Sequence, residues 1–234
     1  MIVSSGPAPP PFPAIVWQAE QPFASYNVLP FAASPFATSC APDDPSVRSG
    51  PVNVLIDLSV SMRAHGRGGI ILMVPAERDG WRESIVHPIP YPVEPPFAAL
   101  ADLVHRAADE HESREWQEEL EDAVQAVAGL TAVDRATILT DRAELLAFGA
   151  KITRRKGWPL VEQAAVTEPI EGGQAAIVHP SLLGGTRHLA AAQFVHDQRN
   201  AVALVASQDG RFTVFIWSPC EERVHAHRVE TLLL

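Results

Sequence analysis

The run His65-Gly66-Arg67-Gly68-Gly69, followed by Ile70-Ile71-Leu72-Met73-Val74 and closed by Pro75, decides the fold class. Gly69–Val74 reads as a strand entered through a glycine-rich loop. An apolar run that never alternates with polar residues suits a strand covered on both faces, as inside an α/β sheet. Working outward, Val52–Leu58 has the same continuous apolar character and reads as a second strand. Ser84–Pro96 carries five prolines and reads as a loop or a sheet-edge segment.

Residues 97–130 change period. Phe97, Leu100, Leu103, Val104 and Ala107 recur at helical spacing, and Trp116, Leu120, Ala123, Val124 and Val127 repeat the stripe. Asp109-Glu110-His111-Glu112 between them divides the segment into two helices. The segment holds nine acidic and two basic residues, a net −7 out of the chain's −10, so its outer face is strongly acidic. Such a face is a solvated surface or a dock for a basic partner.

Beyond it, Val133–Leu139 and Glu144–Ile152 read as strands, Thr186 to about His196 as a helix, and Ala201–Ser207 and Arg211–Trp217 as a hairpin closed through Asp209-Gly210. Interleaved strands and helices define an α/β class with a mixed sheet flanked by helices, spanning residues 51–234. Residues 1–50 differ: ten prolines, four charged residues and a scatter of aromatics read as an extended arm lying along the body.

Net charge −10 and pI near 5.3 argue against binding nucleic acid by broad phosphate neutralisation. No apolar run is long enough to cross a bilayer, and the first residues lack the basic and apolar regions of a signal peptide. Cys40 and Cys220 are the only cysteines and form no C-x-x-C pair. They write neither a disulfide framework nor a thiolate zinc site, and a cytoplasmic location is expected.

Chemistry is written most densely at Gly184-Gly185-Thr186-Arg187-His188, running into Leu189-Ala190-Ala191-Ala192-Gln193-Phe194. Two glycines permit close backbone approach, Thr186 is a candidate cap, and free helix-start N–H groups stand beside an arginine and a histidine. The arrangement describes an anion pocket, or a capped helix whose arginine bridges to a carboxylate. Asp134, ahead of the apolar run Ala136-Thr137-Ile138-Leu139, is placed either to meet a metal or ribose hydroxyl, or to close a turn on the backbone.

Taken together these pieces resemble the nucleotide-binding domain of the diadenylate cyclase superfamily. The order of that family's motifs is matched by Gly69–Val74, Asp134-Arg135-Ala136, Phe148-Gly149, Gly185-Thr186-Arg187-His188-Leu189 and Asn200-Ala201 through Asp209-Gly210-Arg211, over roughly residues 55–218. The resemblance implies a site formed by Asp134, Ala136, Gly149, Gly185, Thr186, Arg187, His188 and Asp209. It implies an adenine nucleotide or cyclic dinucleotide as ligand, and magnesium or manganese arriving with it near Asp134. In active members two subunits face each other and make cyclic di-AMP, so a homodimer is implied as well. Arg135 stands where the motif has glycine and Leu189 where it has a second arginine. The resemblance is therefore to the degenerate branch described as probable sensor domains, which keep the pocket and lose the reaction.

Three other features are weaker. His225-Ala226-His227 would put two imidazoles on one face of a strand, without a third ligand nearby in sequence. His196-Asp197 has no serine elbow to serve and reads as a helix end. Lys151, Arg154, Arg155 and Lys156 form the one basic patch, a solvated turn or a rim for a ligand's phosphates. The rival to a ligand-binding domain is an interaction module built on the acidic helix and the aromatic arm, with a vestigial pocket; an active cyclase ranks third.

Overall fold

The computed structural model describes residues 54–106, 113–168 and 175–229. The arm read at 1–50 and the break read at 109–112 lie outside these residues. The elements in chain order are α1 (Val54–Ala64), β1 (Gly69–Val74), β2 (Tyr91–Phe97), α2 (Ala99–Val104), α3 (Arg114–Leu130), β3 (Ala136–Thr140), β4 (Leu145–Ala150), β5 (Ala164–Thr167), β6 (Ala176–Val178), α4 (Thr186–Asp197), β7 (Val202–Ala206), β8 (Phe212–Ser218) and β9 (Arg223–Arg228). The strands make one mixed sheet in the order β2-β4-β3-β1-β7-β8-β9-β5-β6. β1 is parallel to β3 and antiparallel to β7, and β5 is parallel to β9.

Helices cover both faces, which accounts for the unbroken apolar run of β1. Ile70, Leu72 and Val74 point to the layer that holds Ala191, Ala192, Phe194 and Val195 of α4. Ile71 and Met73 point to the opposite layer, with Val54, Leu58 and Met62 of α1 and Leu120, Val124 and Val127 of α3. α3 begins at Ser113, whose hydroxyl accepts from Trp116 N at 3.1 Å, and Trp116 Nε1 donates to Leu103 O at 3.0 Å, joining α3 to α2. Glu115, Glu118, Glu119, Glu121 and Asp122 are all exposed on its far side.

Val52–Leu58 is a correction. Its described part lies in helix α1, where Val54, Leu58 and Met62 are buried one helical turn apart. A short apolar run does not separate a buried strand from a helix; the spacing declares itself only when the run is followed to Ala64. Of the proline-rich segment, Tyr91–Pro96 lies in edge strand β2, which also takes in Phe97, counted above in the helical stripe; β2 is paired only with β4 and its register is interrupted between Pro92 and Phe97. Proline has no N–H to give a second neighbour, so the edge is where it fits. Strands β5 and β6 have no equivalent in the sequence reading. They are short, alanine-rich, and acquire their identity from pairing with β9 and with each other. Cys220 is not a free thiol, so the cysteine count supplies no argument for a reducing compartment. Among the described residues no helix is long and apolar enough to cross a membrane.

β9 does put His225 and His227 on one face, their ring centroids 5.9 Å apart. His227 Nδ1 meets Thr167 Oγ1, while its Nε2 is buried without a hydrogen-bond partner. His225 Nε2 lies 3.3 Å from Glu221 Oε2 but not in hydrogen-bond alignment. Burial, reinforced by the neighbouring His225, lowers the His227 pKa to about 4. An unfolded histidine titrates near 6.5. Between those values the unfolded chain holds the extra proton, so acidification through this window costs stability, by roughly 3 kcal/mol once it is complete. Urea denaturation at pH 7 and pH 4.5 should therefore show a smaller acid loss for His227→Gln than for the parent; equal losses would exclude a neutral buried His227.

Candidate functional site

The register Ile70↔Ala136 between β1 and β3 brings the heads of these two strands together. Gly68 and Asp134 each lie two residues ahead of that pair. Gly69 must be bare, because a Cβ there would sit 2.8 Å from Thr131 at the end of α3. The loop before it is pinned in the same place. Arg67 N donates to His65 Nδ1 at 3.1 Å, so the ring proton belongs on Nε2, which lies 3.0 Å from Thr131 Oγ1. That hydroxyl in turn donates to Ala128 O at 2.6 Å. Burial, and secondarily Arg67, holds the His65 pKa below the usual imidazole value, consistent with this neutral tautomer.

The β7–β8 hairpin closes over the same strand ends. Ser207 N donates to Arg211 O at 2.8 Å, and Gly210 supplies φ +85°. Gln208 Nε2 donates to Arg67 O at 3.3 Å and Arg63 Nε to Gly210 O at 3.2 Å, tying the hairpin to the glycine-rich loop. Asp209 is exposed, pairs with Arg211 at 3.3 Å, and has its carboxyl pKa held down, chiefly by a hydrogen bond from Ser207.

α4 starts here too. Gly185, not Thr186, is its N-cap; no side chain caps the start, and a Cβ on Gly185 would meet nothing within 4 Å. Thr186 is exposed as the first helical residue. Arg187 is half-buried and lies against the strand ends: a Cβ on Gly68 would be 3.1 Å from Arg187 Nη1 and 3.0 Å from Ala206 O. Among the described residues Arg187 has no hydrogen-bond or ion-pair partner. Asp134, Arg187, Gly185, Thr186 and Asp209 are thus gathered at one end of the sheet.

Three sequence-predicted residues are placed inside the packing instead. His188 is only 2% exposed; its Nε2 is 3.4 Å from Thr213 Oγ1 and its ring meets Phe215 edge to face. Burial is the main cause of its lowered pKa. Gly184 makes room for that ring, since a Cβ there would lie 2.4 Å from His188 Nδ1. Ala136 is buried, paired with Ile70 and Ala150. Gly149, at φ +66°, lies under Tyr91, whose ring would be 2.9 Å from an added Cβ and stacks on Phe148. Gly68 and Arg67 belong to this end of the sheet as well, and their signal in the sequence was the glycine-rich entry to β1. Among the described residues no group of three or more His, Cys, Asp or Glu side chains is placed to hold a metal ion.

A cleft of about 270 Å³ lies elsewhere, past the far end of β1; of the residues singled out in the sequence it is lined by Arg155 of the basic patch and Asp197, and by none of Asp134, Ala136, Gly149, Gly185, Thr186, Arg187, His188 and Asp209. Comparisons with protein-family models and with curated proteins find no match.

Arg135 holds φ +87° while exposed. A side chain in that left-handed region is strained, whereas glycine adopts it freely. Arg135→Gly is expected to raise stability by about 1 kcal/mol, or roughly 2–4 °C in Tm for a chain of this size. A thermal melt checks it; an unchanged or lower Tm would mean that the arginine makes contacts that outweigh the strain.

Proposed function

We propose that the protein is a nucleotide-binding sensor domain resembling a catalytically degenerate diadenylate cyclase. The observation that carries the reading is Arg187, a half-buried guanidinium without a partner among the described residues, set against bare Gly68 beside an uncapped helix start. Unused N–H groups at the start of α4 and a fixed positive charge together suit a phosphate group. Asp134 at the head of β3 is positioned near the same end for a ribose hydroxyl, or as one ligand of a magnesium or manganese ion delivered by the phosphates. The left-handed backbone at Arg135, where the motif has glycine, also supports the relationship.

Phosphoryl transfer depends on positioning and on charge that neutralises the transferring group. Leu189, in place of the motif's second arginine and 37% exposed, supplies no such charge. Arg135 puts a side chain where the family's backbone is bare. Binding without turnover is the outcome these two residues favour, with a cytoplasmic adenine nucleotide or cyclic dinucleotide as the signal.

Calorimetry with ATP and with cyclic di-AMP tests the reading. Arg187→Ala should remove a charge-assisted contact worth roughly 1.5–3 kcal/mol, weakening affinity about 10- to 150-fold. Parent protein incubated with ATP and manganese should form no cyclic di-AMP above a protein-free control. No nucleotide binding at millimolar ligand would end the sensor reading and favour the interaction module on the acidic face of α3; robust product would make the protein a cyclase.

A further inference from the structure

The opposite end of β1 has different chemistry. Pro75–Trp81, Arg155–Trp158 and the turn Asp197–Ala201 surround the cleft of about 270 Å³. Three arginines, Arg78, Arg155 and Arg199, are among its lining residues. Arg155 is already engaged: its Nε donates to Glu83 at 2.6 Å and its guanidinium lies 5.0 Å from the Trp158 ring centre. Arg199 is held over two rings, 4.2 Å from Trp217 and 5.3 Å from Trp158. Neither Arg199 nor Arg78 has a carboxylate partner among the described residues. A guanidinium stacked on an aromatic face keeps its in-plane N–H fork available, and that fork matches two oxygens of one oxyanion.

Negative charge in the same wall is met within the fold. Asp197 is buried, and its carboxylate accepts from Arg155 N at 2.7 Å and from Gln193 Nε2 at 2.8 Å, with His196 Nδ1 at 3.1 Å. At the carboxyl end of α4, Gln198 N donates to Phe194 O at 2.8 Å, which takes up one of the last free carbonyls. Arg78 and Arg199 are therefore left as two arginines of the cleft lining without a carboxylate partner among the described residues.

We propose that this cleft binds a phosphate monoester, with Arg199 and Arg78 gripping the dianion and the cleft taking a small organic group. Two unpaired cations match a dianion better than the single charge of a carboxylate. The volume lies just below the usual range of ligand pockets, so the organic group is small. The site is separate from the start of α4, because the 12 residues of that helix put its two ends roughly 18 Å apart. Of the basic patch Lys151, Arg154, Arg155 and Lys156, Arg155 alone lines it.

Calorimetry of the full chain with phenyl phosphate, inorganic phosphate and benzoate tests the site. Phenyl phosphate is expected to bind more tightly than the other two. Arg78→Ala, which removes an exposed side chain that makes no hydrogen bond or ion pair among the described residues, should weaken it about 10-fold or more. Arg199→Lys keeps the charge but loses the fork, and should weaken it as well. Arg187→Ala should leave it unchanged, which separates this site from the one at the start of α4. Absence of binding at millimolar phenyl phosphate, benzoate binding as tightly, equal affinity in Arg78→Ala, or a loss in Arg187→Ala would each overturn the proposal.

Discussion

Strand β1 has water on neither face. Ile70, Ile71, Leu72, Met73 and Val74 are each at most 4% exposed, and successive side chains enter opposite helical layers. At about 1.5–3 kcal/mol for each large apolar side chain, their burial contributes roughly 10 kcal/mol, comparable with the whole net stability of a domain. Both layers need this strand: α1 and α3 on one side and α4 on the other pack across it, and β3 and β7 take their register from it. A charged residue anywhere in Ile70–Val74 would have no side of the sheet on which to be solvated.

A strand so completely covered leaves its chemistry to its ends. At its head the glycines do specific work. Gly69 lets α3 end against the strand, and Gly68 brings Arg187 and Ala206 O up to the backbone. At its tail Pro75 and the segment after it open onto the arginine-lined cleft. α4 runs between the two ends, with unused N–H groups at its start and a buried carboxylate, Asp197, at its finish. The two proposed anion sites are compatible with an acidic protein: net charge describes the whole surface, and the outer face of α3 carries much of the negative excess, while each proposed site is local.

Histidines illustrate how environment assigns roles to one side chain. His65 is fixed as a neutral link between a loop and the end of α3; His188 is a core residue whose ring fills the space Gly184 leaves; His227 is buried with one nitrogen unpartnered. In each case burial disfavours the imidazolium, which is why all three have lowered pKa values.

The α/β class, the strand Gly69–Val74, the amphipathic α3, the hairpin around Asp209-Gly210 and the helix beginning at Thr186 were legible in the sequence, because each is written in local periodicity or turn chemistry within a dozen or so residues. That Asp134 and Arg187 both lie toward one end of the sheet is set by strand register and packing, since local patterning gives no distance between residues 53 apart in the chain. Tertiary structure alone decided the rest. It gave Ala164–Thr167 and Ala176–Val178 their partners, and turned His188 inward while its neighbour Arg187 faces the strand ends. It also assembled Arg78, Arg155 and Arg199 into one cleft. These outcomes depend on which surfaces meet across the sheet, and that is settled by packing between segments far apart in sequence.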